Sequence, residues 1–333
     1  MSSYIFRSDA PQVGERVVVR RRFGEMFSDV IGHVLSVDPL VVRPQEVGGY
    51  PSSLEAVEIP AEQIHIIKRL SPRTIRNSEI RAIEWATAES FPGKEHAWTS
   101  DGQWLMRAGD GVTERSNSAA PLGRSAAFTA VPLDEIKAFY ARHGLPVQLL
   151  LPERLGRAAE RLLDDSWTLG PEILVMTRPL TDLPPLPDFT LEFHIDEQPD
   201  AAWLDLYHFR GRALPPDALE YLRKRIDGTM GFGRLVTPEG QTVAITRGTL
   251  TDSGDGTTWL GYSAVEVEES WRRRGLGTHL GIAMLHWGAD NGAEHAYLQV
   301  LATNAAGVGL YRKLGFSEHH RHRYARVTCN SCA

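Results

Sequence analysis

Residues 271–278 read Trp-Arg-Arg-Arg-Gly-Leu-Gly-Thr. An apolar strand-like run precedes them and an apolar helix-like run follows, which puts the arginines, Gly275 and Gly277 at a helix N-terminus. The first amides of a helix have no partner inside it and carry a partial positive charge, so they suit a phosphate group. Two closely spaced glycines let backbone approach a ligand, and neighbouring arginines add charge-assisted hydrogen bonds. The chemistry indicated is the holding of a phosphate-bearing molecule.

Three other clusters carry less. Residues 319–323 read His-His-Arg-His-Arg. On a strand His320 and His322 share a face and could hold an ion, but no carboxylate or thiol partner is evident, and a basic, partly exposed strand accounts for the run. No metal is expected. Cys329 and Cys332, the only cysteines, form a Cys-x-x-Cys; with no second pair they read as part of a polar tail rather than a redox or metal site. Arg20, Arg21 and Arg22 read as a solvated strand end.

The elements that must position these residues fall into three pieces. Short β-branched runs at 14–20, 30–37, 40–43, 57–59 and 64–67, separated by turn residues, predict a small curled barrel of SH3-like scale in residues 1–72. Residues 73–185 alternate helix and strand. A helix over 78–90 buries Ile80, Ile83, Trp85 and Ala86; a second spans 133–143; and Pro152 opens a third, running to residue 163. Residues 115–118 are polar and strand-like. The proline-rich stretch 179–187 is the linker. Residues 186–328 then give strands at 233–236, 242–250 and 257–267, the arginine-glycine turn, a helix over 277–290, a strand at 297–301, a helix over 305–314 and a closing strand at 316–327; 329–333 is a tail. The class is α+β, with mixed α/β layering.

The chain has 333 residues and a formal net charge of −6. No global basic field recruits nucleic acid, and no unbroken apolar run predicts a membrane span. The start shows neither a basic nor an apolar signal region, so a cytoplasmic location is expected.

Downstream of the turn come Asn304 and the run Leu310-Tyr311-Arg312-Lys313-Leu314-Gly315-Phe316. Together with Arg272-x-x-Gly275-x-Gly277, this ordered set resembles the GNAT superfamily of N-acetyltransferases over residues 188–327. The rest resembles an actinobacterial type of that superfamily, in which an SH3-like barrel and a degenerate GNAT-like half precede the active GNAT domain. The degenerate half carries no Arg-x-x-Gly-x-Gly, so one cofactor site is expected. The resemblance implies direct transfer of acetyl from acetyl-CoA to a primary amine in a ternary complex. It places the CoA pyrophosphate on Arg272, Arg273, Arg274, Gly275, Leu276, Gly277 and Thr278, with Asn304 and Tyr311 also at the cofactor. It lays the pantetheine arm in a gap beside the backbone of Val265 and Val267, and makes Tyr311 the general acid for the departing thiolate.

The base is open. Many relatives carry a glutamate earlier on the strand, where this chain has Trp259-Leu260-Gly261. Period-two alternation puts Leu260, Tyr262, Ala264 and Glu266 on one face and Val265 and Val267 on the other, so Glu266 is the candidate, with Glu268 or a water as alternatives. A bulge would change that parity. Trp104 and Asn117 are acceptor-side candidates by resemblance. The acceptor is a small-molecule amine or a protein or peptide amine. The alternative is an acetyl-CoA-binding regulatory protein with a partner held by the barrel.

Overall fold

The computed structural model describes residues 5–186, 190–209, 212–213 and 217–327. The cysteine pair and the tail lie outside them. Two compact units emerge, one of Met1–Arg76 with Glu318–His320, the other of Asn77–Ser317 with Arg321 onward.

The first unit is a five-stranded antiparallel sheet made of β1 (Arg16–Phe23), β2 (Met26–Val37), β3 (Leu40–Pro44), β4 (Val57–Ile59) and β5 (Ile64–Arg69). Its order is β4-β3-β2-β1-β5, with register shifts at Arg20/Arg21 and Val34/Ser36 that curl it. Alternate residues Val17, Val19, Val30, Val34, Val42 and Ile59 face inward. The arginine run is a solvated surface: Arg20 pairs with Asp29 at 2.9 Å and Arg22 Nε donates to the Gly24 carbonyl.

The second unit has two halves. The first half contains α1 (Asn77–Ser90), β6 (Glu95–Trp98), β7 (Leu105–Ala108), β8 (Ala119–Ala120), α2 (Leu133–Arg142), β9 (Gln148–Pro152), α3 (Arg157–Glu160), β10 (Trp167–Leu169) and β11 (Ile173–Pro179). The second half contains β12 (Glu192–Asp196), α4 (Ala201–Leu206), β13 (His208–Phe209), β14 (Arg212–Ala213), α5 (Asp217–Arg225), β15 (Gly228–Val236), β16 (Thr242–Asp252), β17 (Thr258–Val267), α6 (Leu276–Asp290), β18 (His295–Leu301), α7 (Ala305–Lys313) and β19 (Ser317–Val327). Both halves share one twelve-stranded sheet of order β12-β15-β16-β17-β18-β11-β19-β9-β8-β7-β6, with β10 beside β19.

That order exchanges strands. The last strand of the first half, β11, pairs antiparallel with β18, while the last strand of the chain, β19, pairs with β9. Helix α1 ties the seam further: Ser90 Oγ lies 3.0 Å from the Thr251 hydroxyl and 2.9 Å from the Tyr297 hydroxyl, all buried. The main core lies between the sheet and α6, where Leu260, Tyr262, Met284, Leu285, Leu298 and Leu314 pack. Small residues permit that contact. A Cβ on Gly288 would lie 2.8 Å from Leu260, and one on Gly281 would meet Leu314.

Three local expectations are corrected. Pro152 closes β9 rather than opening a long helix, and only the single turn Arg157–Glu160 follows. Residues 114–116 form a 3-10 turn, not a strand, because the Asn117 side chain accepts from the Gly109 and Gly111 amides and donates to the Thr113 carbonyl, pinning a loop. The histidine run is buried, not exposed, since β19 sits between β11 and β9: His319, His320 and His322 are all at or below 3 % exposure.

Candidate active site

Strands β17 and β18 run parallel and pair only from Trp259 to Tyr262 against His295 to Leu298. Beyond Tyr262 they part, and a gap opens between residues 263–267 and 299–301. The turn that follows β17 contains two residues in the left-handed region, Arg273 (φ 62°) and Gly275 (φ 84°). Left-handed arginine is strained, and such strain gathers at functional sites. Among the described residues, the amides of residues 273–277 donate to no protein acceptor, whereas Thr278 and His279 both donate to the Gly275 carbonyl. A succession of free amides at the start of a 15-residue helix is an anion cradle.

The cradle forms one wall of a groove. Val267, Trp271, Arg272, Arg273, Gly275, Leu276, Gly277 and Thr278 line it from the turn, and Ala305, Ala306, Gly309, Leu310 and Lys313 from α7. Eight residues near the turn therefore meet on one surface, and seven of them were expected there from sequence; Trp271 joins them. Four others do not line it, Tyr311 among them. Arg274 turns back, its guanidinium 4.9 Å from the Trp271 ring and bonded to the Ser270 carbonyl. Val265 packs against the α6 side with Leu276 and Leu280. Asn304 caps α7, its Oδ1 accepting from the Gly307 amide at 2.9 Å. The α7 residues and Lys313 were missed; the small residues at 305, 306 and 309, on one side of that helix, were the available signal.

Tyr311 projects from α7 near the splay and meets Tyr262 edge-on, ring centroids 6.0 Å apart. Burial, and then the negative charge of Glu266, push its pKa up to about 12. The two residues thus share an electrostatic environment.

The face of Glu266 is corrected. β16 and β17 are in simple register from Asp252↔Thr258 to Arg247↔Ser263, then resume at Ile245↔Glu266 and Ala244↔Val267. One extra residue sits in β17, and Ala264 takes φ 56° there. This bulge reverses the parity. Glu266 shares a face with Gly261, Ser263, Arg247 and Ile245, while Val267 joins Leu260 and Tyr262 on the α6 face. The Glu266 face is the one covered by α4 and α5, where Ile245 packs with Trp203, Leu219 and Leu222. Glu268 lies past the strand end, its carboxylate bonded to Gln241 and Ser270.

Trp104 is fully buried and Asn117 nearly so, both as interior parts of the first half. A carboxylate does meet the histidine run, contrary to expectation: Glu84 of α1 lies 2.7 Å from His322 Nδ1, both fully buried. Sequence could not bring together residues so far apart in the chain.

Residues 77–325 match the family described as "Probable histone acetyltransferase Rv0428c C-terminal", and residues 11–68 match "Rv0428c N-terminal Sm-like domain". The chain belongs to this family. It is 36% identical over 319 residues to the probable histone acetyltransferase Rv0428c of Mycobacterium tuberculosis, covering 94% of this chain and 95% of that one. A GCN5-related N-acetyltransferase from Kribbella flavida has a similar fold (TM-score 0.54, 16% identity, 74% of this chain and 95% of that one). So does a tandem GNAT protein from the clavulanic acid biosynthesis pathway (TM-score 0.50, 15% identity, 79% and 92%). The Rv0428c-type chain is therefore an acetyltransferase of GNAT fold. Its N-terminal sheet, SH3-like in sequence, is the Sm-like piece of the family. No helix among the described residues is long and apolar enough to cross a membrane.

Proposed function

We propose that this protein transfers acetyl from acetyl-CoA to a primary amine, directly, within a ternary complex. The observation that carries the reading is the free-amide cradle of residues 273–277 facing α7, at the point where β17 and β18 part. Acetyl-CoA would supply a thioester carbonyl as electrophile and a thiolate as leaving group. The amides from Arg273 to Gly277, with Arg272, Arg273 and Lys313 around them, suit a pyrophosphate. The strand backbone at Val265 and Val267, released from pairing with β18, suits the extended arm.

Two side chains then manage protons. Tyr311 keeps its hydroxyl proton throughout the neutral range and gives it to the departing sulfur. Glu266, on the α4/α5 face, takes a proton from the acceptor ammonium so that the nitrogen lone pair is free to attack. The amine itself comes from a small molecule or a protein; the name of the mycobacterial relative points to a protein amine.

Calorimetric titration of the folded protein with acetyl-CoA, paired with a thiol-release assay over an amine panel, tests the reading. Saturable binding with amine-dependent thiol release is expected. Absence of binding would overturn it, and binding without release from any amine would favour an acetyl-CoA-sensing role.

A further inference from the structure

Strand β12 forms one end of the twelve-stranded sheet. Among the described residues it pairs only with β15, in unbroken antiparallel register from Glu192↔Val236 to Asp196↔Phe232. Its other edge therefore presents a row of unpaired backbone N–H and C=O groups. Proteins blunt such edges with a lysine, a proline, a bulge or a charge pointing inward. Strand β12 reads Glu-Phe-His-Ile-Asp and has none of these. Its inward-pointing residues, Phe193 and Ile195, are apolar and half-buried against the α6 core.

Beside that strand runs an open groove of about 480 Å³. Leu191, Phe193 and Ile195 wall it on the strand side, and Ala283, Trp287 and Asp290 of α6 on the other. Its floor is built into the sheet. The indole of Trp287 lies on Gly231 and Gly248, where a Cβ would come within 2.8 and 2.7 Å of the ring. The volume is that of a ligand pocket. Because the groove is open and follows a free strand edge, it suits the side chains of a neighbouring strand better than an enclosed small molecule.

Charge says which strand. Residues 180–206 contain seven acids and no lysine or arginine. Arg234 answers two of them, Asp196 at 3.0 Å and Asp200. Glu192 is exposed and lies 3.3 Å from His194. Among the described residues Glu197 and Asp290 have neither a hydrogen bond nor an ion pair, and both are exposed. Alternation puts Glu192 on the face of β12 away from α6, whereas Asp290 stands at the groove. An added strand alternates its side chains between the same two faces. Those toward α6 enter an apolar groove with an acid at its rim, and those on the other face meet acids.

We propose that the β12 edge is a docking site for an extended, basic segment of a partner protein in which apolar residues alternate with lysine or arginine. The segment adds one more strand to the sheet. Its main chain pairs with β12, its apolar side chains sit over Trp287, and its cations meet Glu192, Glu197 and Asp290. Main-chain pairing gives the affinity and the alternation gives the specificity. The site shares no lining residue with the donor groove, so docking requires no acetyl-CoA.

The test is fluorescence anisotropy of the full-length protein, without acetyl-CoA, against a short labelled peptide that alternates valine and lysine. Controls hold the same residues in two blocks, or glutamate in place of lysine. Two further peptides are N-methylated at every valine or at every lysine, which blocks one backbone edge at a time. Saturable binding is expected, weaker by about tenfold or more for both controls and for one of the two methylated peptides, with the other unchanged. Asp290→Lys and Ile195→Lys should each weaken it by a similar factor, and bound peptide should slow amide exchange at residues 192–196. Absence of binding, equal binding of the block peptide, or indifference to both methylations would each overturn the proposal. So would a dimer of the free protein that Ile195→Lys dissolves, since a second copy would then hold the edge. Should Ile195→Lys fail to fold, Asp290→Lys and the peptide series still decide it. The outcome is independent of whether the protein transfers acetyl.

Discussion

Tyr311 is useful as an acid only while it holds its proton, and its surroundings guarantee that. Burial and the neighbouring charge of Glu266 both disfavour the phenolate, raising the pKa to about 12. The neutral form therefore dominates at every pH below that value, and a pH–rate profile taken to pH 10 should show no alkaline limb from this group. Tyr311→Phe should lower kcat about a hundredfold with acetyl-CoA affinity unchanged within about twofold, measured by thiol release and calorimetry. Glu266→Gln should cut kcat/KM about ten- to a hundredfold and weaken its dependence on pH on the acid side. A change of less than about twofold would hand the proton to water. The same substitution removes a negative charge beside Tyr311, so the tyrosine's pKa should fall toward its ordinary value, readable by ultraviolet difference titration.

The turn and its helix were legible because their signal is local. Glycines, arginines and an apolar run in fixed order settle where α6 begins, and the structure starts it at Leu276, within one residue of the expected position. Strand β17 shows the limit. Its span was readable from composition, but its faces were not, because a single inserted residue reverses every side chain beyond it and Ala264 carries no glycine-like mark in the sequence. The bulge is itself testable. A left-handed alanine already sits at a cost, and a β-branched side chain there is worse. Ala264→Ile should destabilise by about 1–2 kcal/mol in urea denaturation and lower kcat by moving Glu266, whereas Ala264→Gly should keep both near wild type.

The exchange of β11 and β19 between the two halves lay beyond any sequence reading, since strand order depends on pairings more than a hundred residues apart. It binds the halves of the larger unit into one sheet with a shared hydroxyl network at the seam. Tryptophan fluorescence and far-ultraviolet circular dichroism should then report a single urea transition for residues 77–327, with no step in which one half melts first. Ending the chain at Gly315 should abolish that transition, although the turn, Glu266 and Tyr311 would all remain. The same exchange sets the order of events on the ribosome. The sheet of the earlier half cannot be finished when that half emerges, because the strand that pairs with β9 is translated some 170 residues later. At roughly 5–20 residues per second this leaves β9 with an open edge for about ten to thirty seconds. The nascent protein thus carries an unpaired, apolar Leu149–Leu151 edge for about half of its synthesis, a natural target for a holding chaperone.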